Sequence, residues 1–241
     1  MANTHSLDLE AGSSQYVSIA DGSQTGLDLS STATFEMWVK FESIPGSGTA
    51  VDLISKDDQS AQRSFAVFYR NAGGTPRLEI IAFENGATYD YYSWNWSASV
   101  ATWYHLAFTI DVTQGSSSTF EVFVDGVSQG NGTAQNASNI SSIANTTAPF
   151  VIGASGAPSE YIDGKLDDIR VWNTVRTGAQ ISGNRSIELL GNEPGLVAYW
   201  KLNNSYLDET ANNNDLTATN APTFSTDLPF QDGASGYITF I

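Results

Sequence analysis

Cysteine is absent from the 241-residue chain. That excludes disulfides, thiolate zinc sites, iron–sulfur ligation and cysteine nucleophiles together. It leaves the compartment open, because secreted proteins also manage without disulfides. Positive charge is nearly as scarce: 10 Lys and Arg stand against 26 Asp and Glu, giving a formal net charge of −16. Nucleic-acid backbones are bound by basic side chains that release counterions, and this chain has no basic stripe for that. Neither nucleic acid nor an anionic membrane surface is expected as a partner. Charged residues of both signs make up only 15% of the chain, below the roughly 25% typical of soluble domains. The surface must therefore be built from Ser, Thr, Asn, Gln and Gly. No run approaches the ~20 apolar residues of a membrane span, so no membrane insertion is expected. The opening MANTHSLDLE lacks the basic and apolar regions of a secretion signal. This points to a chain kept inside until lysis or assembly, or to one whose signal was trimmed.

What the chain has in quantity is apolar and aromatic side chains, 41% and 12% of residues, enough to fill the core of one large β-sandwich. Their period is two almost throughout. Phe35–Phe41, Arg63–Tyr69, Arg77–Phe83, Trp103–Ile110 and Phe120–Val124 alternate, and the pattern resumes at Phe150–Gly153, Leu166–Trp172 and Leu196–Trp200. Short strands separated by turn signals predict an all-β antiparallel sandwich. Asp125-Gly126 and Asn85-Gly86 read as tight hairpin turns, since a type I′ turn wants positive φ at both central residues. The one helical candidate is Thr177–Leu190, with Thr177 to cap it and Gly191 to end it. No linker or repeat divides the chain, so a single domain over 1–230 is expected. A tail over 231–241 ends in the apolar run Tyr237–Ile241. Such an end reads as a strand that pairs with another chain in a homo-oligomer or larger assembly, or as a cut.

Seven segments, in order, add a resemblance. They are Ser6–Glu10 with Gln15–Ile19, Thr34–Lys40, Thr102–Ala107, Val122–Val127, Ile162–Trp172 and Gly195–Leu202. They resemble the laminin-G-like jelly-roll family of the concanavalin A-like lectin/glucanase superfamily. The resemblance implies two stacked, curved antiparallel sheets and a function that is mostly non-catalytic, in adhesion and carbohydrate binding. It also places Trp38, Trp103, Trp172 and Trp200 in the core.

Glucanases of that superfamily carry an E-x-D-x-x-E strand, which is absent here. The two histidines, His5 and His105, have no catalytic partners in sight, and the resemblance makes His105 structural. No enzyme activity is expected. In related folds a calcium ion ties the loop after the second strand to a late carboxylate. Carried over, this implies Asp21, Asp28 and a carbonyl near Gly26 on the early side, and Asp167 on the late side. Calcium accepts such an oxygen set from flexible loops. Alternation places Asp167 and Asp168 on opposite faces of their strand, so only one can serve.

Carbohydrate recognition calls for aromatic platforms with polar tips. Tyr89–Trp96 is the densest aromatic run, and Tyr91, Trp94 and Trp96 are its candidate stacking residues. Tyr92, Trp94 and Trp96 share one face and Tyr89 and Tyr91 the other, so one set must pack the core. The leading expectation is a recognition module binding surface glycan, located outside the cell, at its surface or on a virion. The alternative is a structural component of an assembling particle, such as a phage decoration, fibre or tail protein, that acts through protein contacts.

Overall fold

The structure, a computed structural model, describes residues 3–231. From the N-terminus its strands are β1 (Ser6–Leu9), β2 (Tyr16–Ile19), β3 (Thr32–Phe41), β4 (Ala50–Asp57), β5 (Arg63–Ala72), β6 (Thr75–Phe83), β7 (Tyr89–Asn95) and β8 (Trp103–Asp111). They are followed by β9 (Thr119–Val124), β10 (Val127–Asn131), β11 (Thr133–Ala137), β12 (Phe150–Ile152) and β13 (Gly164–Trp172). A helix, α1 (Gly178–Asn184), precedes β14 (Leu196–Trp200), β15 (Thr217–Thr219) and β16 (Thr223–Ser225).

The strands form two antiparallel sheets stacked as a jelly-roll sandwich. The first runs β10-β9-β8-β3-β13-β1-β16, and β14 joins β1 end to end along the same edge of β13. The second runs β11-β7-β6-β5-β4-β12-β2-β15. The core lies between them because alternation turns one face of each strand inward. From β3 come Ala33, Phe35, Met37, Val39 and Phe41, and from β5 come Phe65, Val67 and Tyr69, all fully buried or nearly so. Phe35 meets Phe65 at 4.9 Å between ring centroids, and Phe41 meets Tyr69 at 5.0 Å. Each such buried side chain contributes about 1.5–3 kcal/mol over leaving it in water.

The two outer faces differ. On the first sheet, Glu36, Trp38, His105, Arg170 and Trp172 point away from the core yet are buried. The chain after β13 covers them. Trp38 Nε1 donates to the Arg185 carbonyl at 2.6 Å, and the Arg170 guanidinium donates to the carbonyls of Asn184 and Ile187. Ile181 of α1 packs on Ala107 and Phe123, and Trp172 clusters with Leu189, Leu196 and Tyr199. Among the described residues, the second sheet has no such cover over β4–β7.

Several local expectations are refined. Thr177 caps α1 through a full capping box with Gln180, but the helix stops at Asn184 rather than at Gly191. Beyond it Ile187 and Leu190 are exposed, so no apolar stripe holds further turns down. Asp125-Gly126 is the expected hairpin turn, with φ of 51° and 78°. Asn85-Gly86 instead sits in a longer loop over 84–88, where the Asn85 side-chain carbonyl accepts from the Ala87 and Thr88 amides. A bulge in β13 sets Asp168 and Ile169 together opposite Met37, with Asp168 at φ 50°. Strict alternation therefore fails at Asp167-Asp168, and the Asp168 carboxylate bonds Arg170. Trp103 is not a core residue: it is partly exposed and its Nε1 donates to Asp227. Tyr237–Ile241 lies outside the described residues.

Candidate functional site

The open outer face of the second sheet carries the site. Alternation on β5 turns Ala66, Phe68 and Arg70 outward. On β6 it turns out Glu79 and Ile81, and on β7 Tyr91. The Phe68 and Tyr91 rings stack at 6.1 Å with 26° between planes, on a small apolar bed of Ala50, Ala66 and Ile81. They border a depression of about 320 Å³ whose polar wall is Asp52, Asp57, Gln59, Arg63, Arg70 and Glu160.

Ion pairs order that wall. Arg63 grips Asp57 with two guanidinium nitrogens, each 2.9 Å from a carboxylate oxygen, and lies over the Phe83 ring. Arg70 Nε donates to Glu79 at 3.0 Å, and the Tyr91 hydroxyl donates to the same Glu79 oxygen at 2.6 Å. Burial, and then the Glu79 carboxylate, push the Tyr91 hydroxyl well above its ordinary value, so it stays a donor. Gln59 donates to Glu160 at 2.7 Å. Asp52 is only 4% exposed and, among the described residues, pairs with no Lys or Arg. Burial first, then the carboxylates of Glu160 and Asp57, hold its carboxyl well above the usual range.

Of the aromatic candidates, Tyr91 faces this site, while Trp94 and Trp96 do not. Trp94 has the core parity on β7, and Trp96, just beyond the strand, packs against the core. Trp94 is buried, donates Nε1 to the Gly130 carbonyl, and lies so close under Gly132 that a Cβ there would come within 2.5 Å of its ring. Trp96 packs edge-on against Tyr69 and Tyr104. Tyr92 stacks on Phe120 at 4.7 Å. Phe68, Arg63, Arg70 and Asp52 went unread in the sequence. The available signal was the outward parity of Ala66, Phe68 and Arg70 on β5, next but one to β7 in a meander.

The calcium set implied by the resemblance is not brought together. Asp21 and Asp28 hold an ammonium instead. Lys56 Nζ, with its side chain fully buried, lies 2.6 Å from Asp21, 3.2 Å from Asp28, and 2.9 Å from each of the Thr146 and Ala148 carbonyls. Gly26, at φ 75°, turns beside Val197 and Asn212. The neighbouring Thr25 is clasped through both its amide and its carbonyl by Asn214. Asp167 is engaged elsewhere, accepting from Asn3 and from the Asp168 amide. These residues do not fit a divalent ion: the cation position at the early loop is already filled by a side chain, and the late carboxylate serves another contact. Among the described residues, only Asp8, Glu10 and Glu42 bring three such ligand atoms within 4.8 Å, and Lys165 pairs there with Asp8 and Glu42.

His105 is buried beneath the covering layer, edge-on to Trp38, with Nε2 3.6 Å from Glu36. Burial, then the nearby Arg170 and Arg185 charges, hold its imidazole well below the ordinary value, so it is neutral.

Comparison with known proteins agrees with this architecture. No protein of curated function matches the chain. A candidate carbohydrate-binding protein from Bacteroides ovatus superposes with a TM-score of 0.68 at 21% identity, over 94% of this chain and 60% of that one. This chain thus spans about 60% of that protein's length. A heptameric SAP-like pentraxin from Limulus polyphemus gives 0.59 at 14% identity, over 93% of this chain and 95% of that one. The CBM40 of a Ruminococcus gnavus IT-sialidase, bound to α2,3-sialyllactose, gives 0.53 at 13% identity, over 76% of this chain and 97% of that one. At these identities the likeness establishes the fold alone. A Laminin_G_3 family model matches residues 11–182, most of the chain, and the chain therefore belongs to that family of the concanavalin A-like lectin/glucanases superfamily.

Proposed function

We propose that the chain is a non-catalytic glycan-recognition module, and that it binds through the open face of its second sheet at Phe68 and Tyr91. The observation that carries this is the asymmetry of the sandwich. One outer face is sealed by α1 and the chain around it, while the other bears a depression in which the partly exposed Tyr91 ring stacks on the buried Phe68 beside a ring of polar side chains. Aromatic faces accept the apolar side of a sugar ring, and the surrounding carboxylates, amide and guanidinium groups meet its hydroxyls. Membership of a lectin-like superfamily and the likeness to carbohydrate-binding modules support the reading, and they support an extracellular or surface location. Among the described residues, no helix is long and apolar enough to cross a membrane. The particle-component alternative rests on the opening segment, the absence of cysteine, the polar uncharged surface and the apolar Tyr237–Ile241, the last of which lies outside the described residues.

Glycan-array screening of the wild type and of Tyr91→Ala tests the proposal. A defined set of bound glycans, lost in the variant while the melting temperature holds, is expected. Binding that survives both Tyr91→Ala and Phe68→Ala would move the site elsewhere.

A further inference from the structure

Beyond the Phe68–Tyr91 pair the same outward face carries two arginines. Arg70 follows Phe68 by two positions on β5, and Arg77 precedes Glu79 by two on β6, so all four share that face. Register sets Arg70 directly opposite Arg77. Like charges so placed destabilise a strand pair. The buried Glu79 is the carboxylate between them and the aromatics, and one of its oxygens accepts from both Arg70 Nε and the Tyr91 hydroxyl. Arg70 bonds only through Nε, which leaves its terminal nitrogens free. Among the described residues Arg77 makes no hydrogen bond or ion pair, and its Nε is buried without a partner. A buried donor left unmade is costly, and a ligand oxygen would satisfy it.

The other carboxylates of the wall do not answer these two cations. Asp57 is held by Arg63, and burial holds Asp52 toward its protonated form. Glu160 lies across β5 from Arg77, on the β4 side, where its carbonyl accepts the Asp52 amide. Terminal guanidinium nitrogens match a planar carboxylate. Because Arg70 and the Tyr91 hydroxyl meet at one Glu79 oxygen, that guanidinium lies beside the polar edge of the Tyr91 ring. A sugar lying flat on Tyr91 reaches it with a group that extends in the plane of its own ring. We infer that the site takes glycans bearing a hexuronic acid, whose ring lies on Tyr91 while its carboxylate accepts from Arg70 and Arg77. Sialic acid carries its carboxylate axially, out of the ring plane, and fits this arrangement less well.

This inference rests on the glycan-binding reading, and the experiment separates the two. Trimers of galacturonate, glucuronate, mannuronate and guluronate are each measured by calorimetry against the matching neutral methyl ester, with sialyllactose and sodium acetate alongside. The salt is about 0.15 M, where the Debye length is about 8 Å and repulsion by the chain's overall negative charge is screened. At least one acid should bind about tenfold more tightly than its ester, a difference of about 1.4 kcal/mol. Arg77→Gln should remove most of that preference and leave the melting temperature in place, since it breaks no internal bond. Arg70→Lys keeps a charge beside Glu79 but loses the fork, and should shrink the preference as well. Tyr91→Ala should abolish binding of acid and ester alike. Equal affinity within every pair, or a preference that Arg77→Gln does not touch, would overturn the acid site yet leave glycan binding standing. A lower melting temperature for Arg77→Gln would mean that Arg77 serves the second Glu79 oxygen, which is buried without a hydrogen-bond partner, and would overturn it too. Sialyllactose bound more tightly than every hexuronate would overturn the in-plane geometry. Acetate bound as tightly as the best trimer, and indifferent to Tyr91→Ala, would reduce the effect to anion attraction and overturn the inference. Failure of every sugar to bind would overturn the parent proposal.

Discussion

Replacing Lys56 by Met tests whether a side-chain ammonium holds the loop after β2. Met keeps the length and apolar stem of Lys56 but removes the charge and all three donors. Asp21, Asp28 and the carbonyls of Thr146 and Ala148 then lose their shared partner. Removing one side of a fully buried ion pair costs about 3–5 kcal/mol. Here the carboxylate side chains are 27% and 36% exposed and can turn toward water, which lowers the figure. The two carbonyls add about 1 kcal/mol each if they stay dry. A net loss of about 2–3 kcal/mol is expected, and for a domain of this size each kcal/mol moves the midpoint by about 2–4 °C. Thermal and urea unfolding of Lys56→Met should therefore show a fall of about 4–12 °C with an unchanged m-value. A cycle with Asp21→Asn should return a coupling energy of the same sign. EDTA and added calcium should leave the wild-type melt where it is, because Lys56 Nζ fills the cation position between Asp21 and Asp28. A variant melting within about 2 °C of wild type, or a wild type that EDTA destabilises, would refute the reasoning.

Trp94→Ala should cost about 3–5 kcal/mol in urea unfolding, as expected for emptying a core position. Tyr91→Ala should cost far less, so comparing the two melts separates core from platform. Gly132→Ala drives a Cβ into the Trp94 ring and should destabilise by about 1–3 kcal/mol. Asp52→Asn should raise the melting temperature at pH 7. The folded chain holds Asp52's proton above ~3.9, where the unfolded chain releases it. The wild type therefore loses stability as pH rises from there, and the Asn variant does not. The gap should close as pH is lowered toward ~4. His105 works in the opposite sense: it stays neutral when folded, while the unfolded chain takes a proton below ~6.5, so stability falls as pH drops through that value. His105→Gln should flatten the dependence between about pH 6.5 and 5.

Much of the fold was legible because most strands have one face in the core and one face polar. Phe35–Phe41 and Arg77–Phe83 read as strands for that reason and fall within β3 and β6. β4 did not read as one. All eight of its residues are buried, including Asp52, Lys56 and Asp57, and register shifts on either side of Ile54–Lys56 break its period. β11 gives no strand signal, because an exposed edge strand of Thr, Ala, Gln and Asn has no apolar alternation to show. The site was half legible for a related reason. Parity separated Tyr91 from Trp94 and Trp96 but left the outward set unassigned. Settling it needed strand order, which puts Phe68 two strands away beside Tyr91. The ammonium of Lys56 was out of reach, since its four oxygen partners come from the loop after β2 and from the segment before β12, well apart in sequence.

The sealing of the first sheet has a consequence for avidity. A sandwich with one open face offers one footprint per copy and cannot bridge two surfaces by itself. Tethered copies convert each later contact into an intramolecular event and raise overall binding by about 10²–10⁴ without any new contact. If the hollow binds glycan as proposed, strength on a dense coat would be set by copy number and linker reach.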